Sequence, residues 1–284
     1  MDVTQFVQEA DVRPIIDSLY PKPLNSIDAA LLAPPQTTNY AEVGSAFDYL
    51  FSFWLIAHNP STDVRRWPAR AGLNRIKTEF PTYERRATDA LDAAETTLTE
   101  YLETGHLTST LAEAALDLAR IEAAYKGTPH RATELLESVG SYDEADVSDL
   151  LHLYEVVPDE FKSFSTVRVN PEFGPVEHGV RGVDVDCLCE GCLVTVKTTK
   201  QSKFAVNHWR SLIVFATLAE ASRRADERFS DDYTLPKITK VGLYFARHGY
   251  LWTHSTDEIY SHPSYKNFRN WLLPRLRQYS SNSS

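Results

Sequence analysis

Residues 181–200 read RGVDVDCLCEGCLVTVKTTK, and how this stretch pairs with itself decides the fold. Residues 182–189 and 192–199 are two apolar, β-branched runs separated by Glu190-Gly191, the pattern of a β-hairpin closed by a two-residue turn. In that register Cys189 faces Cys192, Cys187 faces Val194, Asp186 faces Thr195 and Asp184 faces Lys197. Side chains alternate along a strand. One face is then an apolar wall of Val183, Val185, Cys187, Cys189, Cys192, Val194, Val196 and Thr198. The other carries Asp184, Asp186, Leu188, Leu193, Thr195, Lys197 and Thr199. A type I′ turn needs positive φ at both central residues, for which Glu is a poor choice. A three-residue turn with a bulge would shift the pairing by one and set Asp186 against Val194.

Each face has its own chemistry. The chain's three cysteines are spaced CxCxxC, part of a zinc or iron–sulfur signature. A fourth ligand is required, and His178 is the only nearby candidate. All three sulfurs fall on the apolar wall, so they read as small buried hydrophobes, and neither zinc nor an iron–sulfur cluster is expected. Two aspartates beside a lysine suit a harder ion. Mg²⁺ takes carboxylate oxygens and keeps several waters. Bound there, it would polarise a phosphoryl oxygen and generate hydroxide, with the lysine orienting the water or a phosphate oxygen. The alternative is a solvated sheet face on which Asp184 and Lys197 form a cross-strand pair worth about 0–1 kcal/mol.

The surroundings are those of a soluble globular chain: 284 residues, 43% hydrophobic and 24% charged. The N-terminal segment is acidic and lacks the apolar core of a signal peptide. No apolar run is long enough to span a bilayer, and three clustered cysteines are not a disulfide framework. A cytoplasmic protein without membrane contact is expected. The net charge of −10 is uneven: residues 1–160 carry −15 and residues 161–284 carry +5. The basic half suits a polyanion, and the acidic half offers a surface for a protein partner.

Periodicity follows the same division. Residues 40–58, YAEVGSAFDYLFSFWLIAH, are apolar all round and predict a buried helix ended by Asn59-Pro60. Two Ala-rich amphipathic stretches, 82–105 and 109–127, predict an antiparallel helix pair stopped by glycine, and 144–157 predicts another helix. After Pro158 come a short strand in FSTVRVNPEF and the hairpin. A long helix from about residue 204 follows, then a second hairpin turning at His248-Gly249, and a C-terminal helix. The expected organisation is a mostly helical region over 1–160 and an α/β core over 161–284.

In this order the motifs resemble the PD-(D/E)XK nuclease superfamily, in particular its RecB-like branch. That family pairs an Asp on one core strand with (Asp/Glu)-x-Lys on the next, and GVDVDCLCEGCLVTVKTTK follows the form. Its first core helix bears Gly-x-x-x-His; here Gly44 is followed by Asp48. The resemblance covers residues 160–260 and, less fully, 40–58. It implies a restriction-endonuclease-like fold, a mixed central sheet flanked by helices with a helical N-terminal region. It also implies Mg²⁺ or Mn²⁺ at Asp186, Asp184, Asp48 and Glu42, and catalysis by Lys197, Asp184 and Asp186. DNA would be held by Lys200, Lys203 and Arg210.

Three positions depart from the family. Thr195 stands where the second acid belongs, Ser211 where a glutamine of the later helix belongs, and Phe215 where its tyrosine belongs. Threonine brings no charge to a metal, so Asp184, Asp48 or Glu42 would have to supply the missing carboxylate. Two functions follow: a metal-dependent deoxyribonuclease, or a catalytically degenerate relative that binds nucleic acid or a protein partner without cutting. A structural protein acting through its acidic helices is a third reading.

Overall fold

A computed structural model describes residues 3–64, 67–126, 128–173, 183–226 and 235–282. Two short helices, α1 (Val3–Phe6) and α2 (Arg13–Leu19), precede α3 (Tyr40–His58) and a two-residue strand, β1 (Asp63–Val64). Five helices follow: α4 (Ala69–Glu79), α5 (Glu84–Thr104), α6 (Ser109–Lys126), α7 (Pro129–Ser138) and α8 (Glu144–Glu155). Next come strands β2 (Val167–Val169), β3 (Glu172–Phe173), β4 (Val183–Asp184), β5 (Cys187–Cys189) and β6 (Cys192–Lys197). The chain continues through α9 (Val206–Asp226), β7 (Lys240–Phe245), β8 (Tyr250–Ser255), α10 (Thr256–Tyr260) and α11 (Tyr265–Asn282). The fold is mixed α/β. Its sheet has the order β1-β2-β5-β6-β7-β8. β2, β5 and β6 run antiparallel in turn, α9 crosses over so that β7 lies parallel to β6, and β8 returns antiparallel. No helix among the described residues is long and apolar enough to cross a membrane.

The hairpin takes the two-residue turn despite its glutamate. Glu190 and Gly191 have φ of 46° and 79°, and Cys189 pairs with Cys192, Leu188 with Leu193 and Cys187 with Val194. The strain at Glu190 is offset locally. Its Oε1 accepts from the Ser165 amide at 2.6 Å, and its own amide donates to the Thr166 carbonyl at 3.0 Å. The Ser165 bond also holds the Glu190 carboxyl below its ordinary pKa.

Beyond Cys187 the expected ladder is not formed. Asp184 does not face Lys197; it pairs with Glu172 in a separate two-stranded sheet of β3 and β4. The reason lies at Asp186, where the chain bends. Its Oδ2 accepts from the Val196 amide at 2.6 Å, taking the donor that a continued antiparallel ladder would give to the Val185 carbonyl. Val185 consequently leaves the cysteine face and packs in the opposite core.

Each sheet face carries one core. Cys187, Cys189, Cys192, Val194, Val196 and Tyr244 pack against α3 and the helices around α6. Leu188, Leu193, Val241, Leu243 and Phe245 pack against α9 and α11. The packing does not follow the compositional boundary at residue 160. Phe6, Val12, Ile16, Tyr20 and Ile27 belong to the α9 core, and β1 extends the sheet beside β2. Helices α4 and α7, which the sequence reading does not single out, complete the packing around α6, burying Ala69 and Ile76 from one and Ala132, Leu135 and Leu136 from the other.

Arg247, in the turn between β7 and β8, is 1% exposed, and its guanidinium meets both carboxylate oxygens of fully buried Asp149 on α8 at 2.7 Å. The same guanidinium donates to the carbonyls of Thr198 and Ala33, and the Arg247 carbonyl accepts from the amides of Leu32 and Ala33. Removing one partner strands a charge in the interior. Asp149→Ala is therefore expected to cost about 3–5 kcal/mol in urea denaturation, and Asp149→Leu with Arg247→Met distinctly less than Asp149→Ala alone.

Candidate functional site

Asp48 and Asp186, from α3 and from the bend before β5, line one small cavity of about 60 Å³ together with Tyr49, Glu122 and Asn170. The approach of α3 depends on a glycine one turn earlier. A Cβ on Gly44 would lie 2.8 Å from Thr198 Oγ1, just past the end of β6. A methyl group there would have to displace the Thr198 hydroxyl, whereas glycine leaves it in place. Asp48, singled out from the resemblance to the Gly-x-x-x-His motif, lines this cavity with Asp186.

The cavity has a third carboxylate that sequence spacing did not suggest. Glu122 comes from the middle of α6, in a run of alanines and charges with no motif around it. Its Oε2 accepts from the Tyr49 hydroxyl at 2.6 Å, and that hydroxyl accepts from the Ala69 amide at 2.8 Å. Burial, reinforced by the Glu122 carboxylate, pushes the Tyr49 hydroxyl well above its ordinary pKa.

The other expected residues are dispersed. Glu42 does not reach this cavity as a metal ligand. Its Oε1 accepts from Arg120 Nε at 2.7 Å, because Arg120 is buried and has to be neutralised. Arg210 is not a phosphate contact. It is buried, and its Nε and Nη2 grip Asp17 of α2 at 2.7 and 2.5 Å while Nη1 donates to Asn207. Asp184 pairs with Glu172 of β3, beyond the point where the ladder to β6 ends. Lys200 and Lys203 are exposed in the loop after β6. The three cysteines are buried against α3, as the apolar wall implied, with the sulfurs of Cys187 and Cys189 3.7 Å apart. His178 lies outside the described residues.

Lys197 is half-buried at the end of β6 and is not among the described residues lining the Asp48–Asp186 cavity. Instead it acts on His208 in the first turn of α9. Burial and the nearby ammonium push this imidazole down to a pKa of about 4. His208 Nδ1 and Ser211 Oγ, one turn apart, are buried without a hydrogen-bond partner among the described residues. Thr195 is 7% exposed.

Towards a catalytic Mg²⁺ the cavity offers Asp48, Asp186 and Glu122, two of them already hydrogen-bonded within the fold. The ion asks for near-octahedral oxygen coordination, usually through one or two carboxylates plus substrate phosphate and water. Thr195 has no charge, Glu42 is held by Arg120, one oxygen of Asp186 serves the Val196 amide, and Glu122 serves Tyr49. Among the described residues, no group of three or more His, Cys, Asp or Glu side chains is arranged to hold a metal.

Two measurements follow. The Asp186 carboxylate is a structural acceptor, so Asp186→Ala is expected to lose about 1–3 kcal/mol in metal-free buffer, and Asp186→Asn, which keeps an acceptor oxygen, less. His208 has its folded pKa depressed from 6.5 to about 4. Its contribution is present above pH 6.5 and is lost as pH falls towards 4, because the unfolded chain takes up the proton first. The loss should reach up to about 3 kcal/mol in denaturation against pH, and His208→Gln should flatten that slope.

Comparison of the chain with protein-family models, with curated proteins and with solved structures returned no match.

Proposed function

We propose that this chain is a nuclease-fold protein of the PD-(D/E)XK type that binds nucleic acid without cutting it. The order helix α3, antiparallel β2-β5-β6, crossover helix α9 and parallel β7 supports the fold part of this reading. It is the order that the sequence resemblance implies. The uncharged Thr195 and the committed carboxylates support the loss of chemistry.

One observation carries the proposal. The Asp186 carboxylate, the acid the family would present to a metal, is hydrogen-bonded to the Val196 amide and ties the chain before β5 to β6 where their ladder ends. Next to it stands Thr195, buried and uncharged. Phosphodiester hydrolysis needs an ion or a base to generate its nucleophile, and His208, with its imidazole pushed down to a pKa of about 4, is a weak base. Binding needs less. Exposed lysines after β6 can meet phosphates whatever the state of the carboxylates.

The test joins a plasmid-nicking assay to calorimetric metal titration. Wild type is expected to leave plasmid intact with Mg²⁺ or Mn²⁺ and to bind DNA with affinity that falls steeply with salt. Thr195→Asp should raise Mn²⁺ affinity and lower the stability of the metal-free protein at neutral pH, since it sets a second carboxylate beside Asp186. Metal-dependent nicking by wild type that disappears in Asp48→Asn or Asp184→Asn would overturn the proposal in favour of an active deoxyribonuclease.

A further inference from the structure

Tyr40, the first residue of α3, is 48% exposed. Lys200 Nζ lies over its ring, 5.5 Å from the centroid. Residues 196–206, VKTTKQSKFAV, hold three lysines and no carboxylate in a chain whose net charge is −10. The loop is braced rather than loose. The Ile27 amide donates to the Ser202 carbonyl and the Phe204 amide to the Asn25 carbonyl, with a bridge between Ser26 and Lys203. Lys22 Nζ donates to the Phe204 carbonyl. At the other end, the Thr198 carbonyl is held by Arg247.

We infer that Tyr40, Lys200 and Lys203 form a platform for single-stranded nucleic acid; this deepens the reading of the chain as a nucleic-acid binder and rests on it. Once the Lys200 ammonium swings off it, the Tyr40 ring offers a stacking face that an unpaired base can use, whereas a duplex keeps its bases stacked on one another. A lysine over the same ring would meet the backbone phosphate flanking the stacked base, and a second lysine three residues on extends the track. The segment 25–33 fixes the loop's backbone, so little ordering is needed on binding. Arg210 takes no part, being neutralised by Asp17.

The experiment measures fluorescence anisotropy of a labelled oligothymidine and of a labelled duplex of the same length, with melting curves to confirm that each variant is folded. Wild type should prefer the single strand. Tyr40→Ala should weaken single-strand binding roughly five- to hundred-fold, and Tyr40→Trp should retain it. Lys200→Ala and Lys203→Ala should each make single-strand binding less sensitive to salt. Preference for duplex, or single-strand affinity unchanged in folded Tyr40→Ala, would overturn the platform and leave nucleic-acid binding standing. No binding to either probe would overturn both.

Discussion

The buried pair of Arg247 and Asp149 is the contact on which the arrangement around the end of β6 depends. Two charges are withdrawn from water, which is favourable only if every donor and acceptor is matched. Here the matching is distributed over four pieces of chain. Asp149 comes from α8, Thr198 from the end of β6, Ala33 from the N-terminal segment and Arg247 from the turn after β7. A guanidinium has donors in a fixed planar fork, so it specifies where these elements sit as well as how tightly. The N-terminal segment, which has little regular structure between α2 and α3, is located by this pair and by its bonds to residues 202–204.

A second constraint acts across the sheet. The β5–β6 ladder stops at Cys187, while the chain before it goes on in the β2–β5 register to pair with β3. The bend at Val185-Asp186 lets a side chain finish what the backbone began. The carboxylate caps the Val196 amide, Val185 moves to the α9 core and Asp184 passes to β3. A residue type that would suit metal binding thereby has a defined task in holding strands together. The same logic applies to Glu42 with Arg120 and to Arg210 with Asp17: charged side chains near the interior are partnered because isolated burial is costly.

The two sheet faces are chemically different. Against α3 and α6 the core is rich in aromatic rings, with Phe47, Phe51, Phe161 and Tyr244 in mutual contact. Burial raises the Tyr244 hydroxyl above its ordinary pKa, and its oxygen has no hydrogen-bond partner among the described residues. Against α9 the core includes polar atoms, at His208 and Ser211, near the end of β6 that carries Lys197. The polar residues of α9 are therefore where this face departs from simple packing.

Much of the secondary structure was legible in the chain. The helix of residues 40–58 was bounded by its dense apolar run and Asn59-Pro60, and α5 by Gly105 in the left-handed region. The hairpin register followed from period-two alternation around Glu190-Gly191, and the burial of the cysteines from the face they share. Gly44 and Asp48 were singled out only through the resemblance to Gly-x-x-x-His; the close approach of α3 to Thr198 is seen in the structure alone. Alternation assumes an unbroken strand, so it placed Asp184 against Lys197. Only the tertiary structure decides that the ladder ends at Cys187, because the Asp186 carboxylate is the competing acceptor for the Val196 amide. Glu122, Arg120, Asp17 and Asp149 lie 73 to 193 residues from the side chains they meet. Charge pairing depends on distance in space, which local pattern does not encode. The sequence by itself determined which residues could bear chemistry; the packing determined which of them were already committed to holding the fold.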